Sequence, residues 1–141
     1  SGRGMLAAMV LGAEGVQIGS RFVASEESSA HINFKQEVIK TQDGDTHLTL
    51  KELTPVRLIK NQFYQKVQGL YTQQAATREL QELLGKGRAK KGMFEGDLNE
   101  GELEIGQIAG LIHEIKPAAD IVKEIVNEFK SSQKSISKIT F

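Results

Sequence analysis

Leu11-Gly12-Ala13-Glu14-Gly15-Val16-Gln17-Ile18-Gly19-Ser20-Arg21-Phe22-Val23 reads as the end of a helix, a short buried strand and a Gly-Ser turn. Gly12 suits the left-handed residue that closes a helix, because it lacks the Cβ that makes this conformation costly. Val16 and Ile18 then share one face of a strand, with Gln17 and Gly19 on the other. Beyond the strand, Gly19 lets backbone pass close to a ligand, and Ser20 adds a hydroxyl beside its own N–H. Amide donors in such a turn form a site for an anion such as phosphate. By itself a Gly-Ser turn after a strand is more often connecting structure than an anion site.

A resemblance shifts that balance. Residues 12–23, followed by Ser25-Glu26-Glu27-Ser28-Ser29-Ala30-His31, closely resemble flavin enzymes of the nitronate monooxygenase (2-nitropropane dioxygenase) family. The flavin-dependent type II enoyl-acyl-carrier-protein reductases share the pattern. The resemblance implies that Gln17, Ile18, Gly19 and Ser20 end the last barrel strand and hold the phosphate of FMN. Ser20 stands where most members have Thr, which keeps the hydroxyl and drops a methyl. Two further stretches resemble both groups: Pro55-Val56-Arg57-Leu58-Ile59-Lys60-Asn61, and Glu104-Ile105-Gly106-Gln107-Ile108-Ala109-Gly110-Leu111-Ile112.

Length and charge bound the remaining classes. The chain has 141 residues, 39% of them hydrophobic, with 18 Lys and Arg against 18 Asp and Glu and no cysteine. That length suffices for one domain with its own core. Without cysteine there is no disulfide framework and no thiolate metal site. Balanced charge argues against nucleic acid as a partner. No apolar run is long enough to span a bilayer, and the start lacks a signal-peptide pattern, so a cytoplasmic protein is expected. The chain opens on Ser1-Gly2-Arg3-Gly4, a loop leading into a helix, and the strand that precedes this loop in the resembled family is absent. A (β/α)8 barrel takes about 250 residues. The expectation is therefore an α/β chain: the C-terminal portion of an FMN-binding (β/α)8 barrel with an appended, mostly helical region. Residues 1–30 are read as the last loop–helix–strand unit, 31–116 as a helical insertion, and 117–141 as a closing helix and tail.

Taken in order, residues 5–11 have helical periodicity. Ser25 suits a helix N-cap, with Glu26 and Glu27 in the first turn of a helix over residues 27–40. Asp43-Gly44-Asp45 is a turn, and residues 47–50 alternate as an extended segment would. Thr54-Pro55 reads as the start of a helix over residues 55–74. Thr77 is a cap for a further helix ending at Gly85. Asn99 and Glu102 have capping-box spacing ahead of a helix running to residue 114. Lys116-Pro117 opens the last helix, whose apolar stripe is Ala118, Ile121, Val122, Ile125, Val126 and Phe129. The tail from Ser131 reads as loose, with Ile136, Ile139 and Phe141 able to dock. No repeat of about 20 to 50 residues is visible, which argues against a solenoid.

Few residues outside the turn nominate chemistry. His31, His47 and His113 lack metal-ligand spacing. The histidine assigned to catalysis in the resembled families lies upstream, so no catalytic residue is carried onto this chain. Lys86-Gly87-Arg88-Ala89-Lys90-Lys91-Gly92 reads first as a solvated turn, and second as a contact for the phosphates of a nicotinamide cofactor or an acyl-carrier arm. Asp97-Leu98-Asn99-Glu100-Gly101-Glu102 lacks the spacing of a calcium loop. Gly106 and Gly110, four apart, are read first as a place where another backbone packs closely, since each glycine costs up to ~1 kcal/mol in a helix.

The resemblance implies an FMN-dependent oxidoreductase. Oxidation of alkyl nitronates by O2 is the first reading. The alternative is reduction of an enoyl thioester on acyl carrier protein, with NAD(P)H as electron donor. A reading of another class is a flavin-free structural or partner-binding segment. Residues 16–19 need strand partners, because one strand cannot satisfy its own edges. The expected partners are the N-terminal remainder of the barrel or a second copy in a homodimer, and the segment by itself is expected to be inactive.

Overall fold

Ser1 starts the first helix: its Oγ accepts from the Gly4 N–H at 3.2 Å, and α1 spans Gly2–Val10. The helix begins earlier than the apolar periodicity suggested, because Gly2 is buried against the backbone of the last helix at Ile125 and Phe129. It closes as expected. Gly12 is left-handed at φ +99°, and the Gly12 and Ala13 N–H groups donate to the carbonyls of Met9 and Ala8 at 3.0 Å each. The computed structural model describes residues 1–138, so the docking expected of Ile139 and Phe141 lies outside the described residues.

The strand expected at residues 16–19 does not form among the described residues; residues 13–19 run as irregular chain. Val16 and Gln17 are exposed, as a strand without neighbours must be. A one-turn helix, α2 (Ser20–Val23), follows directly. Ser25 then makes a parallel bridge to Lys116 instead of capping a helix. α3 starts only at Ile32 and runs to Lys40, with the His31 Nδ1 accepting from the Asn33 N–H. The reason lies in tertiary partners. Lys35 Nζ donates to the Ser25 and Glu26 carbonyls at 2.7 and 3.1 Å, while the Glu27 carboxylate accepts the Ala118 N–H at 2.8 Å. The acid expected to begin its own helix begins a distant one.

After the turn at Gly44, β1 (Thr46–Thr49) pairs antiparallel with β2 (Val56–Ile59), from Thr46 opposite Ile59 to Thr49 opposite Val56. This corrects the helix expected from residue 55. Val56 and Ile59 are β-branched and suit a pleated, half-buried surface. The free edge of β2 is also taken: Ile59 N–H donates to Leu103 O, and Ile105 N–H to Arg57 O. The helix proper, α4, covers only Gln62–Thr72 and is capped by Asn61, whose Oδ1 accepts the Tyr64 N–H at 2.9 Å.

α5 (Thr77–Leu84) ends at Gly85, as expected, with φ +60°; its cap position is Ala76, one residue before the expected Thr77. A π-helical turn covers Lys90–Phe94. The helix expected over residues 99–114 is absent. Asn61 Nδ2 donates to the Leu98 and Gly101 carbonyls, and Asp97 Oδ1 accepts from the Asn99 and Glu100 N–H groups, which fixes a turn. Leu103 and Ile105 then run extended into the core, and only a 3-10 turn, Gln107–Leu111, follows. α6 runs over Ala118–Ile136 from Pro117. It carries the helix through Ser131, where a loose tail was expected.

Two apolar clusters result. Ala24, Phe34, Val38, Ile59, Leu103, Ile105, Ala109 and Ile112 form the first, behind α2 and α3. Leu50, Leu58, Phe63, Val67 and Leu80 form the second, under the hairpin, α4 and α5. α1 packs against α6.

Candidate functional site

The turn at Gly19 and Ser20 lies where residues 13–19 meet α2. The N–H groups of Gln17, Ile18, Gly19, Ser20 and Arg21 have no acceptor among the described residues. Gln17 and Gly19 are exposed, and Ile18 and Ser20 are half-buried. A methyl placed on Gly19 would meet no atom within 4 Å. These donors are unpaired among the described residues, and the space beside Gly19 is open. The structure brings the four nominated residues to one accessible bend, as their sequence adjacency requires.

What fixes the bend comes from elsewhere in the chain. The Ser20 Oγ accepts the Gly106 N–H at 3.1 Å. The Arg21 Nη1 donates to the Ala24 and Glu114 carbonyls at 3.4 and 3.2 Å. Ala24, wholly buried, ends α2, and the next two carbonyls are those held by Lys35. The close backbone packing expected at Gly106 and Gly110 is present at Gly110, on a 3-10 turn rather than a helix, while Gly106 lies against the Ser20 side chain instead. A methyl on Gly110 would lie 3.2 Å from the Asp43 nitrogen and the Gln42 carbonyl carbon.

Of the basic cluster only Arg88 turns inward, while Lys86 and Lys90 stay exposed. The Arg88 Nε donates to the Leu83 and Leu84 carbonyls at 3.0 Å each, which satisfies the end of α5. Its guanidinium lies 4.8 Å from the centre of the Phe63 ring. Lys90 pairs with Glu95 at 3.3 Å and Lys91 with Asp97 at 3.1 Å. Of the histidines, His31 caps α3, His47 lies edge-on to Tyr64, and His113 is exposed. No cluster of three or more metal-ligating side chains exists among the described residues. Nor, among them, is any helix long and apolar enough to cross a membrane.

Two buried charged residues escaped the sequence reading. Lys35 is 5% exposed; the available signal was its place beside Phe34 and three residues before Val38, on the face of α3 that faces the core. Glu102 is buried beside Leu103, and nothing in its neighbours' spacing marked it. Burial, reinforced by the nearby Glu104 carboxylate and opposed by Arg88, pushes the Glu102 carboxyl up from 4.5 to about 7. The folded state therefore binds this proton more tightly than the unfolded chain does. The resulting stabilisation is full below about pH 4.5 and is lost as pH rises through about 7. Glu102→Gln, which stays neutral, is expected to melt above the parent at pH 8 and to coincide with it near pH 4. Equal melting points at pH 8 would contradict the burial of this carboxyl.

The family profile described as "Nitronate monooxygenase" matches residues 1–128. A probable nitronate monooxygenase of Bacillus subtilis is 34% identical over 128 residues, which is 89% of this chain and 35% of that protein. A nitronate monooxygenase of Neurospora crassa is 30% identical over 142 aligned positions, covering 96% of this chain and 37% of that protein. Among solved structures, FabK from Thermotoga maritima is 40% identical with a TM-score of 0.89, over 97% of this chain and 43% of that one. Nitroalkane oxidase from Streptomyces ansochromogenes is 26% identical with a TM-score of 0.70, over 96% and 38%. The chain thus spans little more than a third of the length of the curated relatives it matches.

Proposed function

We propose, on the premise that this chain belongs to the nitronate monooxygenase family, that it forms the C-terminal part of an FMN-dependent (β/α)8 oxidoreductase. The observation that carries the proposal is the bend at Gln17, Ile18, Gly19 and Ser20, where consecutive backbone donors have no acceptor among the described residues and the space beside Gly19 is open. Such a bend fits a phosphate, whose oxygens accept several N–H bonds at once. Gly19 admits the phosphate closely, and the Ser20 hydroxyl donates one further bond. When bound, the flavin supplies the electron transfer, and these residues anchor and orient it. Residues 16–19 complete their hydrogen bonds as a strand against the N-terminal remainder of a cytoplasmic barrel enzyme. In that arrangement residues 1–30 close the barrel, 31–116 form an insertion, and α6 of the closing segment 117–141 covers the first helix.

The family match and the curated relatives favour an alkyl nitronate, oxidised by O2, as substrate. A second reading has a specific observation behind it. The likeness to FabK exceeds that to nitroalkane oxidase both in identity, 40% against 26%, and in TM-score, 0.89 against 0.70. That favours a reductase that takes an enoyl thioester on acyl carrier protein, with NAD(P)H as donor.

The first test is the visible spectrum of the whole protein that carries this chain. Flavin bands, with FMN released on denaturation, are expected. Rapid anaerobic bleaching by NADPH identifies the reductase, and bleaching only by a nitronate identifies the monooxygenase. A colourless protein that cannot be reconstituted with FMN refutes the cofactor assignment and returns the chain to a structural role.

A further inference from the structure

We infer that Gly106 is a positioning residue for the anion site: its N–H holds the Ser20 hydroxyl as a donor to the flavin phosphate. This rests on the proposed FMN site and adds the 106–110 segment to it. A serine hydroxyl has one proton and two lone pairs. The Gly106 N–H occupies one lone pair at 3.1 Å, and the hydroxyl proton has no acceptor among the described residues. An oxygen that accepts on one side is left to donate on another. The donor that sets this direction is itself held in place. Ile105 N–H donates to Arg57 O at 3.1 Å on one side of Gly106, and the Gly106 carbonyl accepts the Ala109 N–H at 3.0 Å on the other. Ala109 is wholly buried, and Gly110 closes on the backbone of Gln42 and Asp43.

Gly106 also permits a narrow test. A methyl added there would lie 2.7 Å from the Ser20 Oγ, and its next neighbours, Ile108 Cγ2 and Ser20 Cβ, are both at 3.8 Å. The backbone, at φ −70° and ψ 158°, accepts alanine without strain. Gly106→Ala therefore conflicts with one atom only, the hydroxyl oxygen, which can rotate away. The fold should survive while the hydroxyl is displaced.

The experiment measures dissociation constants by flavin fluorescence on the whole protein, for FMN and for riboflavin, which lacks the phosphate. Gly106→Ala is expected to weaken FMN binding about ten-fold, the scale of one hydrogen bond to a charged group, and to leave riboflavin binding unchanged. Ser20→Ala should produce the same loss. In the Ser20→Ala background Gly106→Ala should add nothing, because the atom it displaces is gone. The inference is overturned if Gly106→Ala binds FMN as the parent does, if riboflavin affinity falls equally, or if the two effects multiply. A parent that binds neither flavin overturns the FMN reading itself, and this inference with it.

Discussion

Replacing Phe63 with alanine is expected to cost about 3–5 kcal/mol of folding stability, the range for emptying a fully buried aromatic site. Phe63 is wholly inaccessible and sits among Leu50, Leu58, Val67 and Leu80. Its ring also lies beneath the Arg88 guanidinium, the group that satisfies the last carbonyls of α5 and donates to the Glu100 carbonyl at 2.8 Å. Losing the ring therefore empties a site and removes the surface on which that arginine rests. Denaturant unfolding monitored by circular dichroism measures the loss. A loss below about 1 kcal/mol would contradict the central place given to this ring. The Ser20 bend is backed by the other cluster, through Ala24 and Ala109. Flavin affinity per folded molecule should accordingly stay at the parental level, as expected for sites with no shared partners.

Lys35→Met should destabilise by about 1–3 kcal/mol, the cost of leaving a buried acceptor without its donor. Methionine retains most of the buried apolar stem, so the change isolates the ammonium. Ser25 is 4% exposed, and its carbonyl receives the Lys35 Nζ at 2.7 Å. The consequences extend beyond one bond. The segment that Lys35 holds also donates Glu26 N–H to Lys116 O, and supplies the Glu27 carboxylate that starts α6. Amide hydrogen exchange should therefore quicken at Glu26 and Ala118 together. A melting point within about one degree of the parent, where 1 kcal/mol corresponds to roughly 2–4 °C, would refute the assignment.

Both residues illustrate where sequence reading stops. Phe63 falls within the helix expected over residues 55–74 and does lie on one, α4, because helical periodicity is local. Lys35 was passed over, because its partners are backbone carbonyls nine and ten residues away in the chain. The same distinction runs through the errors in secondary structure. Thr54-Pro55 and the Asn99–Glu102 pair both matched helix-start patterns. In the fold, Asn61 is the cap, and its amide nitrogen takes the carbonyls of Leu98 and Gly101. A capping pattern states only that a residue is able to cap. Which helix it caps depends on what folds against it, and Glu27, at the start of α6, is the clearest instance.

The sequence by itself determined the left-handed glycine at residue 12, the turn at Gly44, the last helix from Pro117 and the family. These are set by single-residue conformational preference, by short-range periodicity, or by motif identity along a continuous stretch. It also placed the donors of Gln17, Ile18, Gly19 and Ser20 together, since neighbours in the chain are neighbours in space. Only the tertiary structure decided that residues 56–59 pair as a strand and that residues 103–105 line its other edge. It likewise decided that Glu102 is buried and that the Gly106 amide meets the Ser20 hydroxyl across 86 positions. The physical reason is that backbone groups bond to whichever partner the packed core brings within about 3 Å, and that choice is made by the whole chain.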